Sequence, residues 1–407
     1  MSCKIKDLCE RIGSGGTPSR KNKSYYNLGN IKWLKTKELD DIKIYDTEEK
    51  ITEEGLKKSS AKLYPKDTIV MAMYGATVGK LGIIKEEMCT NQACCNMVVD
   101  SNKCNYKFLY YSLLYNRESI INLANGAAQQ NLSVGVIGDY EINLPSLEEQ
   151  EKIADILSSL DDKVELNNEM NKTLEEMAQS IFKRWFVDFE FPNEDGKPYK
   201  SSGGEMVDSE LGMIPKGWEV KCIYDLAEYI NGTSFKAKDY SEKGLPIIKI
   251  AELKNGVTDG TKFFSGEKDK KFYLKNGDIL FSWSGNPDTS IDTFIWDKGD
   301  AILNQHIFKV IPKFDKGYAF TYLMLKYLKS TFTHIARNKQ TTGLGHVTVK
   351  DLKELKIALC FSKIKEFNEV AQPIVDLIFE NNMNIEQLNK IRDSLLPKLM
   401  SGEIRVK

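Results

Sequence analysis

His306, His334 and His346 supply all the imidazole of this chain, and their spacing matches no His-Glu-x-x-His or other ligand pattern. A metal centre is therefore not expected. The cysteines (Cys3, Cys9, Cys89, Cys94, Cys95, Cys104, Cys222 and Cys360) contain no Cys-x-x-Cys pair, which argues against zinc ribbons and dithiol redox motifs. They read as free thiols of a reducing cytoplasm. Gly75-Ala76-Thr77-Val78-Gly79-Lys80 is glycine-rich, but it lacks the loop length and downstream hydroxyl of a Walker phosphate loop. It reads as a turn with a surface lysine. Neither a Gly-x-Gly-x-x-Gly run nor the Asp/Asn-Pro-Pro-Tyr/Phe tetrapeptide of amino-methyltransferases occurs. A dispersed Asp…Glu-x-Lys nuclease site has no support beyond the abundance of charged residues. What remains is hydrogen bonding, charge and packing, the chemistry of a binder rather than of a catalyst.

Composition agrees with a soluble protein of two or three domains: 407 residues, 41% apolar and 28% charged. No apolar run approaches the ~18 residues of a membrane span, and the first residues carry no hydrophobic signal region. The net charge of −1 conceals a segregation. Residues 1–146 carry about +3 and 216–360 about +6, whereas 147–190 carry about −7 and 191–215 about −3. Both presumptive globular segments are basic, a modest pointer to a phosphate-bearing partner.

The elements that must position any binding residues occur twice. Residues 144–186 repeat at 359–400, with Ile153 falling on Phe367, Leu160 on Ile374, Leu174 on Leu388 and Ile181 on Leu395, each 214 residues on. A repeat this long is a duplicated unit rather than a solenoid. Landmarks recur in order in the preceding segments as well. Asp7-Leu8 corresponds to Asp225-Leu226, Lys35…Glu38-Leu39 to Lys249…Glu252-Leu253, Asn91-Gln92 to Asn304-Gln305, and Asp139 to Asp351. Between landmarks the copies differ strongly, so one scaffold carries two sets of loops. Within the first copy, residues 31–34, 67–73 and a stretch from Asn96 through Val99 read as strands, and 106–115 as a helix.

The fold expected is α+β: two similar mixed α/β domains separated by two long antiparallel coiled-coil helices, with an internal pseudo-twofold repeat. The parts are 1–146 (first domain), 147–190 (first long helix), 191–215 (linker, with a short helical possibility around Leu211), 216–360 (second domain) and 361–407 (second long helix). In the first helix Ile153, Leu160, Asn167, Leu174 and Ile181 fall on heptad position d, with Leu157, Val164, Asn171, Ala178 and Trp185 on a. In the second, Phe367, Ile374, Asn381, Leu388 and Leu395 take d, with Ala371, Ile378 and Ile385 on a. Five heptads span roughly 50 Å at about 1.5 Å per residue. The matching layers predict that Asn167 meets Asn381, a polar layer that fixes register, with the globular domains at opposite ends. Two independent amphipathic helices, each covering its own domain, would show the same stripe. Pro373 should kink the second helix or mark a late start.

The same residues carry a resemblance. The run Leu144-Pro145…Glu148-Glu149-Gln150…Ile153-Ala154…Leu157…Leu160-Asp161…Leu174-Glu175-Glu176-Met177-Ala178…Phe182-Lys183…Trp185-Phe186 resembles the central conserved region of Type I restriction-modification specificity subunits. So does Ser201-Ser202-Gly203-Gly204-Glu205-Met206 onward to Pro215-Lys216-Gly217-Trp218. Arg392-Asp393-Ser394-Leu395-Leu396-Pro397-Lys398-Leu399 resembles the family's C-terminal conserved region, and Gly15-Gly16-Thr17-Pro18-Ser19-Arg20 the opening of a target-recognition domain. The resemblance implies a non-catalytic, cytoplasmic DNA-reading subunit that binds double-stranded DNA and two modification (methyltransferase) subunits. Restriction subunits would join the full complex. S-adenosylmethionine, ATP and Mg would then belong to the partners, with no cofactor on this chain and no membrane contact. The target would be bipartite, one half-site per domain. The alternative is a coiled-coil scaffold joining two protein- or peptide-binding domains.

Base edges are read by Arg, Lys, Asn, Gln, Ser and Thr, and phosphates are held by Lys, Arg and loop amides. On that chemistry the expected DNA contacts in the first domain are Arg20, Lys35, Tyr74, Lys80, Gln129, Gln130 and Asn131. In the second they are Lys249, Trp283, His306, Lys339, Gln340, Thr341 and His346. Gln92 and Gln305 are expected to be buried at strand ends, since residues equivalent in both copies cannot distinguish different half-sites. Trp185 and Phe186 are expected to pack at the helix end or against a modification subunit.

Overall fold

The structure, a computed structural model, describes residues 2–123, 131–340 and 343–406. It divides into two compact units, Met1–Lys163 with Leu388–Lys407, and Val164–Gln387. Each unit therefore takes a stretch of both long helices. Among the described residues, no helix is long and apolar enough to cross a membrane.

In the first unit, Cys9–Ser14, Cys94–Val99, Ile69–Ala72, Leu81–Ile84 and Ile42–Ile44 form a five-stranded sheet in that order. A second sheet runs Lys50–Ile51, Ile31–Leu34, Met88–Thr90, Leu63–Tyr64, with its central pair parallel. The strand Ile69–Ala72 is buried at every residue, as its unbroken apolar run requires. Ser2–Lys4 pairs with Glu141–Asn143, so the two ends of the domain are joined in one ladder. The helix Tyr106–Tyr115 is capped by Asn105, whose side chain accepts from the amides of Lys107 and Phe108. Cys9, Cys89 and Cys104 are free thiols that burial pushes up to about 12, which leaves them unreactive.

The second unit repeats this plan. One sheet runs Ala227–Asn231, Ile307–Pro312, Ile279–Ser282, Asp292–Ile295, and another Phe263–Phe264, Leu245–Ile248, Ala301–Leu303, Tyr273–Leu274. Glu219–Cys222 pairs with Lys356–Leu359, as the terminal strands do in the first unit. Strand register aligns the copies residue by residue. Ser14 pairs with Cys95 as Asn231 pairs with Phe308, and Met71 pairs with Cys95 as Phe281 pairs with Phe308. Ser14 is thus equivalent to Asn231, Met73 to Trp283 and Ala93 to His306. Around Leu211, where a short helix was a possibility, Met206–Ser209 and Gly212–Pro215 instead form a hairpin, with Gly212 at φ +90° in its turn.

The long helices are Leu147–Phe186 and Phe361–Ser401. They run antiparallel within each unit. In the first, Asp161 pairs with Arg392, while Ile153 and Leu157 share a core with Leu396 and Leu399. In the second, Asn171 meets Asn381 and Asn382, and Trp185 packs on Phe367 at 5.7 Å. Every residue placed on the seam by heptad position is buried or half-buried: Ile153, Leu157, Leu160, Val164, Asn167, Leu174 and Ile181 in the first helix, and Phe367, Ile374, Ile378, Asn381, Leu388 and Leu395 in the second. Towards the helix ends the stripe widens to take in Ala154, Phe182, Phe186, Val375 and Leu399, because there each helix also covers a domain. Phe186 packs on Phe320 (4.8 Å) and Trp218 (5.7 Å), so with Trp185 it closes the helix end. The second helix already begins at Phe361 and continues through Pro373, which is exposed, so a late start is excluded.

The polar layer is displaced by one turn from its expected place. Asn171 Nδ2 donates to Asn382 Oδ1 (2.7 Å), and Asn381 Nδ2 donates to Asn171 Oδ1 (2.8 Å). Asn167 is 1% exposed, yet its Nδ2 has no partner among the described residues. Matching layers in a repeat need not face one another when the helices are antiparallel, since the facing position depends on where the axis falls. The two asparagines should respond oppositely to the same replacement. Asn167→Leu removes an unsatisfied buried amide and is expected to raise stability by about 1 kcal/mol, whereas Asn171→Leu strands two amides and should cost roughly 1–3 kcal/mol. Urea unfolding midpoints of the two variants check this; equal losses would contradict it.

Candidate nucleic-acid interface

In the second unit four remote segments converge at one end of the sheet. Asn231-Gly232-Thr233 leaves the strand Ala227–Asn231, Trp283 follows Ile279–Ser282, Asn304-Gln305-His306 precedes Ile307–Pro312, and Gly345–His346 arrives from the far side of two helices. Backbone bonds tie them together. Trp283 N donates to His306 O (3.3 Å), Val347 N to Trp283 O (2.8 Å) and Gln305 N to Thr233 O (2.9 Å). Ser284 pairs with His346. The approach is close enough that a Cβ on Gly232 would lie 2.0 Å from the Asn304 carbonyl oxygen.

Side chains complete the cluster. The Trp283 Nε1–H donates to Asn231 Oδ1 (3.1 Å), and the Trp283 ring lies 5.1 Å from His306 and 5.6 Å from Phe308. His306 adopts φ +79°, a left-handed conformation costly for a residue with a Cβ, and its Nδ1 is buried without a partner among the described residues. Three of the expected contacts, Trp283, His306 and His346, are thus brought together. The others are placed differently. Lys249 caps the helix Ile250–Asn255, with its Nζ 5.6 Å from the Tyr240 ring. Lys339 pairs with Asp351; burial alone would raise that carboxyl, but Lys339 and Thr348 hold it below its usual range. Gln340 is exposed, and Thr341 lies outside the described residues.

The first unit builds the equivalent end with other residues. Met73 N donates to Ala93 O and Leu132 N to Met73 O, both at 2.8 Å, which sets half-buried Tyr74 beside exposed Asn131. A Cβ on Gly15 would lie 2.1 Å from the Thr90 carbonyl oxygen, the counterpart of the Gly232 approach. Gln129 and Gln130 fall outside the described residues. The three cations expected among the DNA contacts each pair with carboxylates. Lys80 pairs with Asp40 (2.9 Å) and Asp41 (3.2 Å), and Lys35 with Glu48 (3.3 Å) and Glu49 (2.6 Å). Arg20 also pairs with Glu49 while lying over Tyr26 (4.4 Å) and Trp33 (4.9 Å).

Gln92 and Gln305 are exposed, against the expectation of burial. The Gln92 Oε1 accepts from the Thr17 hydroxyl, so this position belongs to the surface in both copies. Equivalence between copies is compatible with a shared task such as holding backbone, and was no argument for burial. Sequence reasoning missed Asn231. Asn231 ends the strand Ala227–Asn231, and only strand register puts it beside Trp283, 52 residues away.

Residues 1–176 and 215–366 match the family described as the Type I restriction modification DNA specificity domain. The chain belongs to that family. It is similar to the Type I restriction enzyme MjaIX specificity subunit of Methanocaldococcus jannaschii, 31% identical over 99% of this chain and 93% of that protein. It is also similar to the HindI specificity subunit of Haemophilus influenzae, 26% identical over 73% of this chain and 77% of that protein. The fold matches the crystal structure of a Type I restriction-modification S subunit from M. genitalium, with a TM-score of 0.60, 16% identity, and coverage of 98% and 96% of the two chains.

The carboxylate clamp in the first domain gives a pH-dependent stability. Hydrogen bonds from Arg20 and then Lys35 lower the Glu49 carboxyl from 4.5 to about 2. Because its folded value is depressed, the stabilisation is complete above about 4.5 and is lost as pH falls towards 2. Glu49→Gln should therefore destabilise at pH 7, and its deficit relative to wild type should shrink steadily below pH ~4.5. Denaturant midpoints recorded from pH 7 downward test this; a deficit constant with pH would refute it.

Proposed function

We propose that this chain reads a bipartite duplex DNA target, with a different half-site held by each recognition domain. The supporting observation is a contrast between scaffold and surface. The two domains share the order and register of four strands of the main sheet, yet where one has exposed Asn231 beside half-buried Trp283 and His306, the other has half-buried Ser14 and buried Met73 and Ala93. One frame with unlike surfaces suits one class of ligand with unlike sequences.

On this reading two modification (methyltransferase) subunits dock on the long helices. Exposed apolar side chains there, including Leu166, Met177, Val370 and Ile391, offer area for such partners to cover. Restriction subunits join the full complex. S-adenosylmethionine, ATP and Mg2+ act on the partners, and this chain works in the cytoplasm without a catalytic group or cofactor of its own. The base contacts come from the clustered strand ends, while Arg20, Lys35 and Lys80 serve chiefly to brace the first domain.

The methylome of the host provides the test, with the chain deleted and then restored together with its modification partner. Deletion should abolish one two-part methylated motif with a constant unread gap, and restoration should return it. An unchanged methylome on deletion would sink the reading.

A further inference from the structure

We infer that Asn231 is a specificity-determining residue of the second recognition domain, and that Trp283 is a positioning residue that fixes which end of its amide faces the DNA. The inference rests on the proposed reading of a half-site by that domain. An indole Nε1–H can only donate. Its 3.1 Å bond to Asn231 therefore holds Oδ1 inward, against the Trp283 ring, and turns Nδ2 away from it. Asn231 is exposed, and its Nδ2 has no partner among the described residues. A free asparagine presents either a donor or an acceptor by rotating; here the choice is made in advance, and the outward group is a pair of N–H donors.

Trp283 is itself held on several sides. Its ring packs on Phe308 and His306, its amide donates to His306 O, and its carbonyl accepts from Val347 N. The left-handed backbone of His306 belongs to the same arrangement, a local cost retained next to the Trp283 ring. The equivalent positions of the first domain lack this pair, since register puts Ser14 at the position of Asn231 and Met73 at that of Trp283. The contact is therefore suited to reading a letter found in one half-site only. A fixed Nδ2 donor matches base edges that present acceptors, guanine O6 and N7 or thymine O4, and opposes the N4 amino group of cytosine.

The experiment uses the complete chain with its modification subunits, comparing the methylated motifs of wild type, Asn231→Asp and Trp283→Phe. Asn231→Asp keeps an oxygen for the indole but turns an acceptor outward. It should weaken the preferred base at one position of one half-site roughly tenfold or more and admit cytosine there. Trp283→Phe keeps a ring against His306 and Phe308 but frees the amide to rotate, so the same position should become degenerate. The other half-site should be unchanged in both variants. If Asn231→Asp abolishes methylation altogether, Trp283→Phe decides: a motif degenerate at one position supports the inference, and a wild-type motif overturns it. Wild-type motifs in both variants also overturn it, while the reading itself survives provided deletion of the chain still removes the motif. If deletion removes no motif, the reading fails and this inference falls with it.

Discussion

Which turn of one long helix faces which turn of the other is set by two amide bridges, from Asn171 to Asn381 and from Asn171 to Asn382. Apolar seams tolerate slippage, because leucine and isoleucine pack acceptably in several registers. A buried amide does not, since a shift by one turn would leave it without a partner at a cost comparable to a lost hydrogen bond. Asn167 shows that cost already present in the native layer and uncompensated among the described residues. Register matters beyond the helices, because each compact unit draws on a stretch of both.

The charged contact in the first unit reinforces this arrangement. Asp161 accepts from Arg392 Nη1 at 2.8 Å and from the Tyr111 hydroxyl at 2.6 Å, so one carboxylate ties both helices to the domain helix Tyr106–Tyr115. Burial and the neighbouring Asp161 carboxylate both push the Tyr111 hydroxyl well above its ordinary range, so it remains a neutral donor. In the second unit the repeat offset of 214 places Val375 and Ala178 at the equivalent helix positions, both fully buried. One copy is fastened by charge and the other by packing, including the aromatic group around Phe182, Phe186, Phe320 and Phe367. The duplication thus preserved the architecture while the means of fastening diverged.

Much of the frame was legible because it follows from periodicity. The heptad stripe, the helix Tyr106–Tyr115 and the correspondence of Asn91-Gln92 with Asn304-Gln305 each rest on spacing along one segment. The facing of Asn171 and Asn381 was not legible, since it depends on the position of the axis relating two antiparallel helices. Nor was the hairpin around Leu211, where the turn residues allow helix or strand and pairing decides. At the candidate interface, side-chain type picked out Trp283, His306 and His346, which the fold brings together, and equally Arg20, Lys35 and Lys80, which it pairs with carboxylates. Their acidic partners lie 13 to 40 residues away in sequence and become visible only once folded. Asn231 is the converse case, a strand-end residue that the sequence does not single out and that the fold sets against a distant indole.

Exchange of one domain tests the central claim most directly: two independent readers are carried on one duplicated frame. Residues 216–360 would be replaced by the corresponding segment of another family member with a different target, and the methylated motif of the hybrid determined. The account predicts that one half of the motif changes to the donor's and the other half stays as it was. A hybrid that alters both halves, or neither, would contradict it.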